Sequence, residues 1–315
     1  MQCPVLVFMK KAHFNSIIGF FIHGLNDIQD YPLGVGAKLE RWHNLGVDGV
    51  FDHWGSFNNH ISSNSVACRE FFLDPLADAE TVGRKIALQQ FGEEAGEAAF
   101  QAWRSLERAH AIMSNYSTWP PLQWPNWYAG KNFAALPESF ETKGLSLPAH
   151  CVRHALPFVY NDSATSLQGV SDAWKRAYPH YMEAVRHLDE AIAEADDTPV
   201  FYSYWWSGEA KSPSRLEHLR LQQRYIEGMG LVGREIGIHF GLNALYNRLN
   251  GDAEVYSREA GPLLREDIEA CRAIAEFFGR TSFRNDHYKR MYYKWKELYS
   301  QKAALSETYL SENKY

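Results

Sequence analysis

The alternation of apolar and polar positions changes character along this chain, and its first two breaks enclose the most informative stretch. Ile17–His23 is a short apolar run that stops at Gly24-Leu-Asn-Asp27, and it predicts a strand. Gly36 to about Asn44 follows a helical period with Leu39 and Trp42 on one face, and Val50-Phe51 then forms a second apolar segment ending in Asp52, His53 and Trp54. Strand, helix, strand is the β-α-β unit, parallel and right-handed by default. The polar ends of such strands are where ligands bind in barrels and open α/β sheets. The run Gly46–Gly55, G-V-D-G-V-F-D-H-W-G, therefore offers a place for a site, with Asn26 and Asp27 at the same end of the neighbouring strand.

A polar loop over Ser56–Asn64 follows the second strand. Asp74-Pro75 breaks the chain, Asp78 is a good N-cap for a helix carrying Val82 and Ile86, and that helix is expected to stop at Phe91-Gly92 with glycine in the C′ place. Ala95, Ala98, Ala102, Leu106, Ala109 and Met113 recur at three- and four-residue steps, a narrow small-residue face suited to close packing. Ser117–Pro157 is irregular and rich in tryptophan and proline. From Val170 onward helices are expected nearly to the end, one of them kinked or divided at Pro179. Another begins at Ser212-Pro213 and ends at Asn250-Gly251. Gly228, Gly230, Gly233, Gly237 and Gly241 along it imply close helix crossings or a local break. Two helices, about 263–278 and 286–305, close the pattern, and the polar tail Ser306–Tyr315 is expected to fray.

Composition narrows the classes. With 315 residues and a 45% apolar fraction the chain can bury a sizeable core. A net charge of −6 with well-mixed signs offers no basic stripe, so no nucleic-acid partner is expected. Ile17–Ile22 is too short to span a bilayer, so no membrane association is expected, and with no evident secretory signal the expected compartment is the cytoplasm. Cys3, Cys68, Cys151 and Cys271 lack ligand spacing and read as separate buried thiols. No nucleotide or dinucleotide fingerprint and no G-x-S-x-G occurs, and no cofactor is expected. Fourteen per cent aromatic residues, several in Pro-rich loops, exceeds the needs of a core and points some of them toward a ligand or partner.

G-V-D-G-V-F-D-H-W-G, the Asp74-Pro-Leu-Ala-Asp78 helix start, Phe91-Gly-Glu-Glu-Ala95 and Ala102-Trp103-Arg104 together resemble the end of the catalytic barrel and the helical C-terminal domain of bacterial glycoside hydrolases, in the β-N-acetylhexosaminidase-like and α-glucuronidase-like groups. The resemblance covers about residues 30–115 by motif and the rest by helical character. It implies a mostly α fold with a small α/β part: the last two β-α elements of a TIM-type (β/α)8 barrel over residues 1–65, then a helical domain over residues 66–315 with aromatic-rich loops. Since a whole barrel takes about 250 residues, it implies a fragment. The fragment would be a truncated gene product, an incompletely assigned gene or part of a split enzyme completed by another polypeptide. The expected partners are a carbohydrate ligand and either the missing barrel segment or further copies of the chain in a homo-oligomer.

The candidate residues each carry two readings. Asp52 is a sugar-hydroxyl acceptor or acid/base group, since glycosidic cleavage uses two carboxyl groups, or else it caps the strand-to-loop turn; Asp27 is the nearby alternative. His53 is a ligand group or a satisfied structural histidine, and Trp54 a stacking platform for a pyranose or a plug for the strand ends. Asn58, Trp124 and Trp127 are placed to line a carbohydrate subsite, or belong to a solvated loop and a satellite apolar cluster. Glu235 and His239 stand at i, i+4 on a helix, but with no third ligand at metal spacing a solvent-facing ion pair is expected and no metal. The leading expectation is the C-terminal part of a glycoside hydrolase acting on glycosidic bonds of oligo- or polysaccharides, not catalytically complete alone. The alternative is a non-catalytic helical carbohydrate-binding or protein-interaction module.

Overall fold

A computed structural model of the chain describes residues 7–8, 17–20, 32–46, 49–52, 63–113, 134–141, 164–200, 214–280 and 286–313. The described residues are mostly helical, in agreement with the expected class. Three short strands, β1 (Val7–Phe8), β2 (Ile17–Phe20) and β3 (Gly49–Asp52), form one sheet in the order β1-β2-β3. Helix α1 (Pro32–Asn44) links β2 to β3, which run parallel in the register Ile17↔Gly49 to Phe20↔Asp52. The expected β-α-β unit is therefore present. The barrel gains no support, because β1 pairs antiparallel with β2 and (β/α)8 barrels are all-parallel.

The helices that follow are α2 (Ser63–Leu73), α3 (Ala79–Phe91), α4 (Glu93–Met113), α5 (Pro137–Glu141), α6 (Ala164–Glu194), α7 (Arg215–Arg248), α8 (Ala253–Glu259), α9 (Gly261–Arg280) and α10 (Asp286–Glu312). Helix α2 stands where a polar loop was expected to extend to Asn64; the buried Ala67, Cys68 and Phe71 supply the apolar face that its Asn- and Ser-rich start conceals. Asp78 caps α3 as expected, its carboxylate accepting from the Thr81 backbone N–H at 2.7 Å, and Gly92 ends that helix at φ 88°. Pro179 does not divide α6, which runs unbroken from Ala164 to Glu194. A proline forfeits one intrahelical bond, a loss that burial of Val170, Trp174, Ala177, Tyr181 and Leu188 along the same helix offsets.

The chain divides into two units, Met1–Glu107 with Glu183–Ile226, and Arg108–Met182 with Glu227–Tyr315. In the first, Phe91 meets Trp103 edge-on at 6.2 Å and stacks on the His218 ring at 5.8 Å, while Arg215 Nε donates to the Gln90 carbonyl at 2.8 Å. In the second, Phe140, Ile238, Leu242, Tyr246, Tyr256 and Leu264 belong to one core cluster, and the Tyr256 hydroxyl donates to the Ala135 carbonyl at 2.8 Å.

The glycines of α7 mark a close helix crossing rather than a break. A Cβ at Gly237 would lie 2.6 Å from Trp174 Cβ, one at Gly241 2.8 Å from Ser171 Oγ, and one at Gly233 inside the Trp174 ring. Helix α6 thus lays Ser171 and Trp174 directly on the α7 backbone. The C-terminal tail also differs from expectation: α10 continues to Glu312, and Ser306 is fully buried.

Candidate functional site

Two places could carry chemistry, one foreseen and one not. The foreseen place is the carboxyl end of β2 and β3. Its residue Asp52 closes β3 directly opposite Phe20, so the strand position expected for it is the one it holds. Asp27, His53, Trp54, Asn58, Trp124 and Trp127 all lie outside the described residues.

The unforeseen place lies in the second unit, where α7, α9 and α10 each turn a charged side chain inward. Lys302 on α10, Glu235 on α7 and Asp267 on α9 are all buried, Lys302 and Asp267 at 0% exposure. The Lys302 ammonium donates to Glu235 Oε1, lies 3.0 Å from Asp267 Oδ1, and reaches His239 Nδ1 at 3.4 Å. Tyr299 donates to Glu235 Oε2 and Ser306 to Asp267 Oδ2, each at 3.4 Å. Although Nζ and Asp267 Oδ1 are close enough for an ion pair, Oδ1 receives no hydrogen bond of good geometry.

Burial sets the electrostatics. Loss of water pushes the Glu235 and Asp267 carboxyls up against the downward pull of the Lys302 charge. Burial alone would lower Lys302, but the two adjacent carboxylates outweigh it and hold the ammonium well above its ordinary range. For His239, burial and then the neighbouring ammonium act in one direction, so the imidazole is kept neutral far below its usual titration. The Cys271 thiol is raised well above its ordinary range by burial and by Asp267.

These facts correct the reading of Glu235 and His239 as a solvent-facing ion pair. Each is only 3% exposed, and both turn toward Lys302 rather than pairing with one another as charges. Glu235, Asp267 and Cys271 bring ligating atoms within 4.8 Å of one another. The ammonium of Lys302 is the cation that the two carboxylates already hold, and it is covalently part of the fold. A trace of this cluster was present in the sequence: Lys302 falls in the stripe of Trp295, Tyr299, Ala303 and Ser306, and Asp267 in that of Leu264, Cys271, Ile274 and Phe278. A charged residue at a core position on each of three helices, with opposite signs, is the signal that would have found it.

No family model, curated protein or solved structure matches the chain. Among the described residues no helix is long and apolar enough to cross a membrane.

Proposed function

We propose that the chain is a carbohydrate-binding part of an enzyme of the glycoside hydrolase lineage, taking its ligand at the carboxyl ends of β2 and β3. The observation that supports this reading is the parallel pairing of the two strands across the α1 crossover, with Asp52 at the last paired position. Ligands of α/β folds gather at that end, and a carboxylate there suits a sugar hydroxyl. The mostly helical remainder agrees with the helical domain that the resemblance implies.

Hydrolysis of a glycosidic bond needs a second carboxyl group on the opposite side of the bond. Asp52 alone supplies one, so the expected behaviour is binding without turnover. Calorimetric titration with a panel of oligosaccharides tests this. Binding at micromolar to millimolar strength that disappears in Asp52→Ala, with no release of reducing sugar, supports the reading. Binding that survives Asp52→Ala but is lost on changing Trp124 or Trp127 would instead favour a non-catalytic aromatic binding module. Failure of every sugar to bind would refute both.

A further inference from the structure

The two buried carboxyl groups beside Lys302 are served unequally. Glu235 has the ammonium hydrogen-bonded to Oε1 and the Tyr299 hydroxyl on Oε2. Asp267 has Oδ1 facing the ammonium at 3.0 Å without a hydrogen bond of good geometry, and on Oδ2 a single long contact with Ser306 Oγ at 3.4 Å. Among the described residues the other groups facing the cluster add no positive charge. His239 of α7 is a neutral imidazole, Cys271 of α9 a thiol and Tyr256 of α8 a phenol, each kept uncharged by its burial. Glu266, next to Asp267 on α9, is partly exposed and pairs with Arg234 at 3.6 Å.

If both carboxyls were ionised, the cluster would bury one uncompensated negative charge, and proteins resolve such a charge by taking up a proton. We propose that Asp267 carries a proton at neutral pH, so that the contact of α7, α9 and α10 is an electrically neutral set of one ammonium, one carboxylate and one carboxylic acid. Oδ2 is the atom for that proton. Oδ1 then faces Lys302 as a carbonyl oxygen, and the acid donates to Ser306 Oγ. Glu235 and Asp267 act together on one ammonium, so the proton belongs to the set and changes whenever any member is altered. Among the described residues these are the only buried carboxyl groups.

Infrared spectroscopy of the full chain at neutral pH reads this directly, through the carbonyl stretch of a protonated carboxylic acid and its shift on deuteration. The band is expected in the wild type and absent from Asp267→Asn. It is also expected to vanish in Glu235→Gln, because the remaining aspartate then becomes the sole partner of Lys302 and gives up its proton. Lys302→Met removes the cation, leaves both carboxyls protonated and should enlarge the band. A wild-type difference spectrum against Asp267→Asn without this band overturns the proposal, as does a band that survives in Glu235→Gln. Should Lys302→Met fail to fold, these two comparisons decide the matter without it.

Discussion

Replacing His239 with glutamine should change how stability depends on pH far more than it changes stability at neutral pH. The imidazole is 3% exposed, and its Nδ1 accepts from the Lys302 ammonium at 3.4 Å. A glutamine side-chain oxygen can accept the same bond, so the variant keeps that contact and loses the ability to titrate. It also loses the edge-on ring contacts to Phe140 and Phe240, a loss that does not vary with pH. In the fold, burial and the adjacent ammonium keep the imidazole from protonating far below its ordinary value of about 6.5. In the unfolded chain it takes up a proton near that value. Because the folded value is depressed, the contribution to stability is complete above pH ~6.5 and is lost as pH falls toward the folded value. One proton of difference is worth about 1.4 kcal/mol per pH unit. Relative to the variant, wild type should therefore lose about 1.4 kcal/mol by pH 5.5 and about 2.7 kcal/mol by pH 4.5 while the folded imidazole stays neutral. Urea unfolding of both proteins at half-unit steps from pH 7.5 to 4.5 gives the difference curve, in which the shared titrations of every other group cancel. Parallel curves over that range would refute the burial argument, and a variant losing stability faster than wild type would reverse its sign.

Three further perturbations probe the packing. Lys302→Met should cost about 3–5 kcal/mol by denaturant unfolding, since it strands two buried carboxyls, whereas the triple change Glu235→Leu, Asp267→Leu, Lys302→Met should recover most of that loss; a triple variant as weak as the single one would argue against it. Gly233→Ala drives a methyl group into the Trp174 ring and should cost on the order of 1–3 kcal/mol with an altered near-UV circular dichroism spectrum; an unchanged spectrum and unfolding midpoint would contradict the close crossing of α6 and α7. Gly92→Ala places a side chain at φ 88° and ψ −178°, a region almost reserved for glycine, and should cost about 1–3 kcal/mol in thermal unfolding, where a neutral result would deny the strain.

How much was legible in the sequence depended on whether the signal was local. The Asp78 cap, the Gly92 stop and the α1 crossover between β2 and β3 were foreseen because each follows from residues within one turn or one crossover of each other. Helix α2 was missed because its opening Ser-Asn-Ser reads as loop until Phe71 is known to be buried. The continuation of α10 past Leu305 was missed for a related reason. Ser306 is polar in isolation, yet it faces Asp267 on another helix, and that partner is 39 positions away along the chain. The ion cluster left only charged residues in core stripes as its trace, for the same cause: periodicity within one segment cannot say that a lysine in such a stripe has its two counter-charges on separate helices.

Helix α7 shows why a single-face reading fails for a central helix. With about 100° of rotation per residue, Gly230, Gly233, Gly237 and Gly241 gather on one side, and Glu235 and His239 fall roughly opposite them. The first side lets Trp174 of α6 come within a backbone's reach, and the second receives Lys302 of α10. Both of these sides are buried, and polar residues that meet water, Glu217, Arg220, Arg224, Glu227 and Arg234, lie along a narrow edge between them, so the helix shows no simple apolar stripe. The two surfaces also constrain one another. The close crossing with α6 fixes the rotation of α7 about its axis, and that rotation aims Glu235 and His239 at the ammonium. A glycine-to-alanine change on the α6 side should therefore weaken the charge cluster on the other side. The pH response of the His239 imidazole would register this: partial opening around Lys302 lets the ring protonate at higher pH and flattens the acid loss of stability. The same Gly233→Ala variant, titrated as for His239→Gln, should move toward the glutamine variant's curve. A wild-type slope retained in a weakened protein would mean that the two faces of α7 act independently.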